Sequence, residues 1–265
     1  MSPQQLLAHT DSGELWPEGG GAAFTELPAA YSAAFAVESL RSARGERPLG
    51  YKIGFTNRTI WERYNVFAPI FGSIWDTTVT WCEGDGVLSL ADLCQPRIEP
   101  EVVFGFKATP DPAAGVDELF ASLAWVAPGF EIVQSHMPDW KFAPAQTVAD
   151  GALHARLLIG SRLPVTTVAP DAAALHQALA AARLELRCGQ RPVDQGVGEN
   201  VLDGPLHALM HLLTALRSTP GARPLAAGNV VTTGTWTDAW PVESGQTWTA
   251  RFDSMLPALT VSFLS

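Results

Sequence analysis

Residues 97–106 read Arg97-Ile98-Glu99-Pro100-Glu101-Val102-Val103-Phe104-Gly105-Phe106. Side chains alternate across a strand with a period of two, so Glu99 and Glu101 share one strand face that continues into an apolar run. Two like charges set side by side there are costly unless one carboxylate is protonated or a cation bridges both, and paired carboxylate oxygens suit a hard ion such as Mg2+, Mn2+ or Ca2+. The alternative is an edge strand that turns both glutamates to solvent. Glu131, inside the apolar stretch 125–133 (WVAPGFEIV), is a candidate third ligand. Lys52, flanked by Gly50-Tyr51 and Ile53-Gly54, puts one charge into another short apolar strand, as a functional ammonium or as a lysine that snorkels out of a strand end. Arg97 either clamps a substrate carboxylate in bidentate fashion or pairs with a neighbouring glutamate.

The chain around these residues is 265 long, between one and two domains at about 150 residues each, and its 47% hydrophobic and 17% charged residues suit a large folded core. The formal charge of −10 is opposite in sign to a phosphate-binding footprint and argues against nucleic acid as a partner. Cys82, Cys94 and Cys188 form no C-x-x-C pair, which points to a reducing compartment rather than a disulfide framework. No basic leader followed by an apolar stretch opens the chain, and no run of about 18 apolar residues spans a membrane. A soluble, cytoplasmic protein is the expectation.

Helical spacing predicts helices over 29–43, stopped at Gly45, over 171–182, and over 205–217, where Leu206, Leu209, Leu212, Leu213 and Leu216 repeat behind Pro205. Residues 57–76 read as a short helix capped by Asn57, with Ile60, Trp61, Tyr64 and Val66, and then a loop beyond Pro69. Strands are expected over 49–55, 77–81, 87–90, 99–106, 124–133, 156–159 and 183–187, with a turn at Cys188-Gly189-Gln190, and the alternation of 228–263 predicts paired strands.

Taken in order, Gly50-Tyr51-Lys52-Ile53-Gly54-Phe55-Thr56, Phe71-Gly72, Gln95-Pro96-Arg97-Ile98-Glu99-Pro100-Glu101 and Phe130-Glu131-Ile132-Val133 resemble the 2-keto-4-pentenoate hydratase and 4-oxalocrotonate decarboxylase family of the fumarylacetoacetate hydrolase superfamily. So do Trp140, Thr147-Val148-Ala149-Asp150, Gly198-Glu199-Asn200-Val201-Leu202-Asp203-Gly204-Pro205 and Gly228-Asn229-Val230-Val231-Thr232-Thr233-Gly234. The resemblance implies an α+β fold: a fumarylacetoacetase-like mixed β-roll or barrel over residues 49–265, with flanking helices and a small helical segment, residues 1–48, packed on it. It further implies Mg2+ or Mn2+ held by Glu99, Glu101 and Glu131, Lys52 and Asp150 in catalysis, and Arg97, Thr233 and Gly234 in substrate binding.

The implied activity is hydration of a 2-hydroxydienoate to a 4-hydroxy-2-oxo acid in the breakdown of aromatic compounds, with a metal acting as Lewis acid on the 2-oxo group. Alternatives are decarboxylation of a 2-oxo diacid, hydrolysis of an acylpyruvate C–C bond, or an inactive partner subunit. A homo-oligomer, and a complex with another catabolic enzyme, are the associations implied. The chain departs from the family pattern at four places: Ile70 stands where an aspartate is usual, Gly151-Ala152-Leu153 where Asn-Ala-Ser is common, Gln146 in place of an acid, and Asp253-Ser254-Met255-Leu256-Pro257 in place of a glycine-containing turn. His136 and His154 are candidate replacements for the missing acid or base. Trp61, Trp75, Trp140, Trp236 and Trp240 are candidates for an aromatic wall or for packing.

Overall fold

The computed structural model describes residues 1–58, 61–64 and 66–265, without the side chains of Arg63 and Tyr64. Two helices come first. α1 (Pro3–Ser12) opens with a reciprocal capping box between Ser2 and Gln5 and ends at Gly13 in the left-handed region. α2 (Leu27–Ala43) follows, with Gly45 just beyond it at φ 98°. Next come β1 (Pro48–Gly54), the single turn α3 (Trp61–Tyr64), β2 (Ile70–Trp75), β3 (Val79–Trp81), β4 (Asp85–Ser89) and β5 (Arg97–Phe106). The middle of the chain holds α4 (Val116–Ser122), β6 (Leu123–Val133), α5 (Pro144–Ala149), β7 (His154–Ile159), β8 (Leu163–Pro164), α6 (Val165–Val168) and α7 (Ala172–Ala181). The last part runs through β9 (Arg183–Cys188), β10 (Arg191–Val197), α8 (Pro205–Ser218), β11 (Val230–Thr232), β12 (Trp240–Pro241), β13 (Thr247–Phe252) and β14 (Leu259–Leu264).

Among the described residues nine strands form one sheet in the order β2-β1-β11-β5-β6-β7-β3, with β12 added to β5 and β8 to β6. Five more form a second sheet, β10-β9-β13-β14-β4. The pairs β1/β11, β3/β7 and β14/β4 are parallel and the rest antiparallel, so both sheets are mixed. The α+β architecture that the resemblance implies is the one observed. The sheets abut so closely that a Cβ on Gly86 of β4 would lie 2.6 Å from Leu158 of β7. Leu259, Val261 and Phe263 of β14 join Phe130 and Leu158 in one buried cluster between them.

All five leucines of the α8 pattern are buried, which is why that helix reads so clearly as an amphipathic element. At the other end of the chain, Leu6, Trp16, Phe24, Ala30 and Tyr31 belong to the same cluster as the strands. Tyr31 stacks on Phe71 with ring centroids 4.6 Å apart, and its hydroxyl accepts a hydrogen bond from the Phe71 amide at 3.2 Å. Among the described residues no helix is long and apolar enough to cross a membrane.

Several local expectations differ from the structure. The loop expected after Pro69 is strand β2, which pairs antiparallel with β1 from Pro48↔Trp75 to Gly54↔Ile70. Its regularity comes from that partner, because Pro69 and Gly72 interrupt the local pattern. Asn57 forms an isolated antiparallel bridge with Val201 instead of capping a helix. Ile60 and the side chain of Tyr64 lie outside the described residues. Within 228–263 only β13 and β14 pair with each other, while β11 and β12 both pair with β5. The short helices α1, α4 and α5 and strand β10 carry patterns too short or too polar to stand out in the sequence.

Candidate metal centre and catalytic cavity

The β5–β6 pairing sets Glu99 opposite Glu131 and Glu101 opposite Gly129. Directly opposed residues of an antiparallel pair project to the same side, as do residues two apart, so all three glutamates share one face. On the other flank of β5, Val103 faces Thr232 of β11, which in turn faces Lys52 of β1. The same face continues into a small apolar cluster of Ile74, Val103, Ala127, Leu157, Ile159 and Val230. The carboxylates therefore stand on a low-dielectric floor.

One oxygen from each of Glu99, Glu101 and Glu131 lies within 4.8 Å of the others. Glu101 and Glu131 are fully buried, whereas Glu99 opens to a cavity. Glu101 Oε2 accepts hydrogen bonds from the Thr232 hydroxyl and, at 2.7 Å, from the Gly234 amide. Gly234 has φ 105°, and a Cβ there would lie 1.8 Å from the Thr56 hydroxyl, so this amide donor requires glycine. Glu131 Oε1 is 2.8 Å from His154 Nδ1, and its Oε2 is 3.0 Å from Lys52 Nζ as an ion pair lacking an aligned hydrogen bond.

Burial and the neighbouring carboxylates raise the Glu101 carboxyl well above its ordinary range, and burial reinforced by Glu131 pushes Glu99 up to about 7 against the pull of Lys52. Burial acts on Glu131 in the same direction, but the Lys52 ammonium and the His154 hydrogen bond outweigh it and hold this carboxyl low. Burial would also discharge Lys52, yet the three glutamates keep it charged. Glu101 Oε1 is buried with no hydrogen-bond partner and Glu131 Oε2 meets the Lys52 ammonium alone among the described residues, so both keep lone pairs to offer a hard divalent cation. The residues present fit a divalent metal ion.

A cavity of about 290 Å3 opens over this cluster. Lys52, Arg97, Glu99, Thr56, Gly234 and Asp238 line its polar part, and Ile70, Leu153, Phe55, Phe142, Trp140 and Trp240 much of the rest. The Arg97 guanidinium lies over the Trp140 ring at 4.2 Å. Ala152 and Leu153 reach the wall through left-handed backbone, at φ 56° and 66°, a conformation that costs a side-chain-bearing residue about 1 kcal/mol or more.

Lys52, Glu99, Glu101 and Glu131 are thus brought together, with Arg97 and Gly234 on the cavity wall above them. Asp150 and Thr233 stand apart from that wall. Both Asp150 oxygens serve His136, one at 2.5 Å from Nδ1 and the other accepting its amide at 3.0 Å. The Thr233 hydroxyl donates to the Val102 carbonyl at 3.0 Å within the sheet. Trp140 and Trp240 line the cavity, whereas Trp75 and Trp236 are core residues and Trp61 bonds the Phe55 carbonyl. Thr232 went unremarked in the sequence although it lies in the Gly228–Gly234 run, because only the β11–β5 pairing turns its hydroxyl to Glu101.

Such a centre, a buried carboxylate cluster beside an ammonium under a small cavity in a mixed sheet, is that of a protein built to hold a divalent cation. The chain is 33% identical over 232 residues to the 2-hydroxyhexa-2,4-dienoate hydratase of Comamonas testosteroni, covering 87% of this chain and 82% of that one. It is 30% identical over 233 residues to 2-keto-4-pentenoate hydratase 1 of Dechloromonas aromatica, covering 85% and 82%. Its fold superposes on the 4-oxalocrotonate decarboxylase from Pseudomonas putida G7, complexed with magnesium and adipate, with a TM-score of 0.84 at 24% identity over 100% of this chain and 99% of that one. No protein-family model matches. The chain belongs to the 2-keto-4-pentenoate hydratase family.

Proposed function

We propose that this protein is a divalent-metal-dependent hydratase that adds water to a 2-hydroxydienoate, giving a 4-hydroxy-2-oxo acid, in the catabolism of aromatic compounds. The observation that carries the reading is the cluster of Glu99, Glu101 and Glu131 next to Lys52, with a buried Glu101 oxygen that takes no hydrogen bond, at the end of a cavity sized for a small acid. The names of the curated relatives favour hydration over decarboxylation.

In this reading the three glutamates hold Mg2+ or Mn2+, which when bound supplies a Lewis acid for the 2-oxo group. Lys52, kept charged by the glutamates, faces the substrate's 2-oxygen and carboxylate and stabilises negative charge there. Arg97, its guanidinium over the Trp140 ring, binds the acid end on the wall that Gly234 also lines. The 2-hydroxyl proton leaves, C5 gains a proton, and C4 becomes the electrophilic end of an enone. Water then delivers its oxygen to C4 and a proton to C3. Ile70 and Leu153 make the wall more apolar than the family pattern and suit a hydrocarbon tail over a second carboxylate. Asp150 acts through His136, as a positioning group.

The test is ultraviolet turnover of 2-hydroxydienoates and 2-oxo diacids with Mg2+, Mn2+ or EDTA, with Lys52→Ala as control. Metal-dependent loss of the dienol chromophore with a 4-hydroxy-2-oxo acid as product is expected. Release of CO2 would make the enzyme a decarboxylase, and silence without metal binding would make it an inactive subunit.

We also adopt a catalytic domain of residues 49–265 carrying the helical segment 1–48, and a cytoplasmic homo-oligomer. Exposed Phe67, Trp81, Val87 and Leu264 support an interface between copies, and three unpaired cysteines support a reducing compartment. Sedimentation as a monomer would overturn the oligomer.

A further inference from the structure

We propose that His154 is a positioning residue that sets the Glu131 carboxylate so that its Oε2 faces the metal centre. The inference rests on the reading of Glu131 as a metal ligand. His154 opens β7, beside β6, and its side chain is buried between two polar partners. Nδ1 lies 2.8 Å from Glu131 Oε1, and Nε2 lies 2.9 Å from Thr78 Oγ1.

The hydrogen count decides which nitrogen donates to Glu131. A bare Nδ1 lone pair at 2.8 Å from an ionised carboxylate oxygen would be repulsive, so Nδ1 carries a proton. Thr78 has one hydroxyl proton and two acceptors within reach, His154 Nε2 and the Trp75 carbonyl at 3.0 Å, and it accepts from the Trp75 amide at 3.2 Å. Giving that proton to Nε2 leaves a neutral ring whose Nδ1–H points at Glu131. The alternative arrangement protonates both nitrogens, and Nδ1–H again points at Glu131. In either case one carboxylate oxygen is tied down from behind, and Oε2, which takes no aligned hydrogen bond, is left toward Lys52 and the other two glutamates.

Outer hydrogen bonds of this kind orient ligand atoms, and removing them typically costs about 10–100-fold in metal affinity. The arrangement is not a general consequence of burying a glutamate. Glu101 reaches the same centre with a hydroxyl and a backbone amide and needs no imidazole.

The experiment measures Mn2+ alone, by loss of the free-ion electron paramagnetic resonance signal, for the wild-type full chain and for His154→Leu, His154→Asn, His154→Gln and Thr78→Val. The amide nitrogen of asparagine can occupy the place of Nδ1, whereas that of glutamine lies nearer Nε2. His154→Leu and His154→Gln are expected to bind Mn2+ about 10–100-fold more weakly, His154→Asn close to wild type, and Thr78→Val in between. His154→Leu is also expected to add nothing to the loss caused by Glu131→Ala, since that variant leaves His154 no carboxylate to hold. A role confined to folding would lower the melting temperature in EDTA for all the His154 variants without this order of affinities. Wild-type affinity in a folded His154→Leu, or equal losses in Asn and Gln, would overturn the proposal. Failure of the wild type to bind Mn2+ would overturn the metal reading itself, and the proposal with it. Should His154→Leu not fold, the contrast of Asn with Gln and the Thr78→Val affinity decide the matter.

Discussion

Glu99 and Glu131 face each other across the β5–β6 pair, residue against residue, in the buried interior of a mixed sheet. Like charges set directly opposite destabilise a sheet, and this pair is joined by Glu101 two residues along. The arrangement is stable at neutral pH only because Lys52 and His154 gather on Glu131 while the other two carboxyls hold protons more tightly than usual. A site so built is poised to exchange protons for a cation.

Glu101→Gln removes a buried carboxyl while keeping an acceptor for the Thr232 hydroxyl and the Gly234 amide. In EDTA the variant is expected to melt at or above the wild-type temperature, because one member of a repelling cluster has gone. With Mn2+ it is expected to gain little, while the wild type rises by several degrees. Thermal melts with and without Mn2+ read both effects, and equal metal stabilisation in the two proteins would remove Glu101 from the centre.

Metal uptake should release protons. Burial pushes Glu99 up to about 7 and raises Glu101 well above its ordinary range, so cation affinity is expected to fall as pH drops below about 7, with protons released as the ion binds. Without metal the sign reverses. A carboxyl whose folded pKa is raised contributes stability that is fully present below its ordinary 4.5 and is lost as pH climbs through about 7. His154, held low by burial, works in the opposite sense, but only below its ordinary 6.5. As pH climbs from 6.5 through about 7 the EDTA-treated protein should therefore lose melting temperature while the Mn2+-loaded protein does not. Calorimetry in buffers of different ionisation enthalpy counts the protons.

A Cβ at Gly54 would stand 3.0 Å from Ile70 Cγ1 and 3.8 Å from Lys52 Nζ. Gly54→Ala is thus expected to crowd Ile70 against the reacting end of the cavity, lowering turnover several-fold and stability by about 1 kcal/mol. Ile70→Ala removes the Cγ1 atom at the point of contact and should restore much of the lost turnover in the double variant. Steady-state kinetics and denaturant melts of the two single variants and the double test this, and additive losses would show that the contact is not the cause.

Ile70→Asp places a carboxyl near the Lys52 ammonium, since both Ile70 and Lys52 lie within 4 Å of the Gly54 Cβ position. Burying that group costs about 1–3 kcal/mol unless Lys52 pairs with it. Turnover of unbranched 2-hydroxypenta-2,4-dienoate is expected to rise, and turnover of dienoates with longer alkyl tails to fall. An unchanged preference would show that this position does not set the tail specificity.

Period-two alternation was enough to put Glu99 and Glu101 on one face, and the leucine spacing of residues 206–216 was enough for a buried helix, because both patterns are local and burial repeats with the element's own period. Family resemblance added Glu131 and Lys52 to the same site. Strand β2 was hidden, since Pro69 and Gly72 break its local pattern and only the ladder to β1 makes it regular. Asp150 reads like a site residue in its motif, yet the turn after α5 delivers its carboxylate to His136.

What the sequence determined by itself is therefore which residues carry charge into apolar strands and on which side of each strand they stand. Tertiary structure alone decided who meets whom: Glu131 opposite Glu99, Thr232 and Gly234 on Glu101, His154 behind Glu131, and Ile70 beside Lys52. The reason is that strand register and sheet order join segments as far apart as residues 52, 101, 131 and 232, and shifting a strand by one residue turns every side chain on it to the other face.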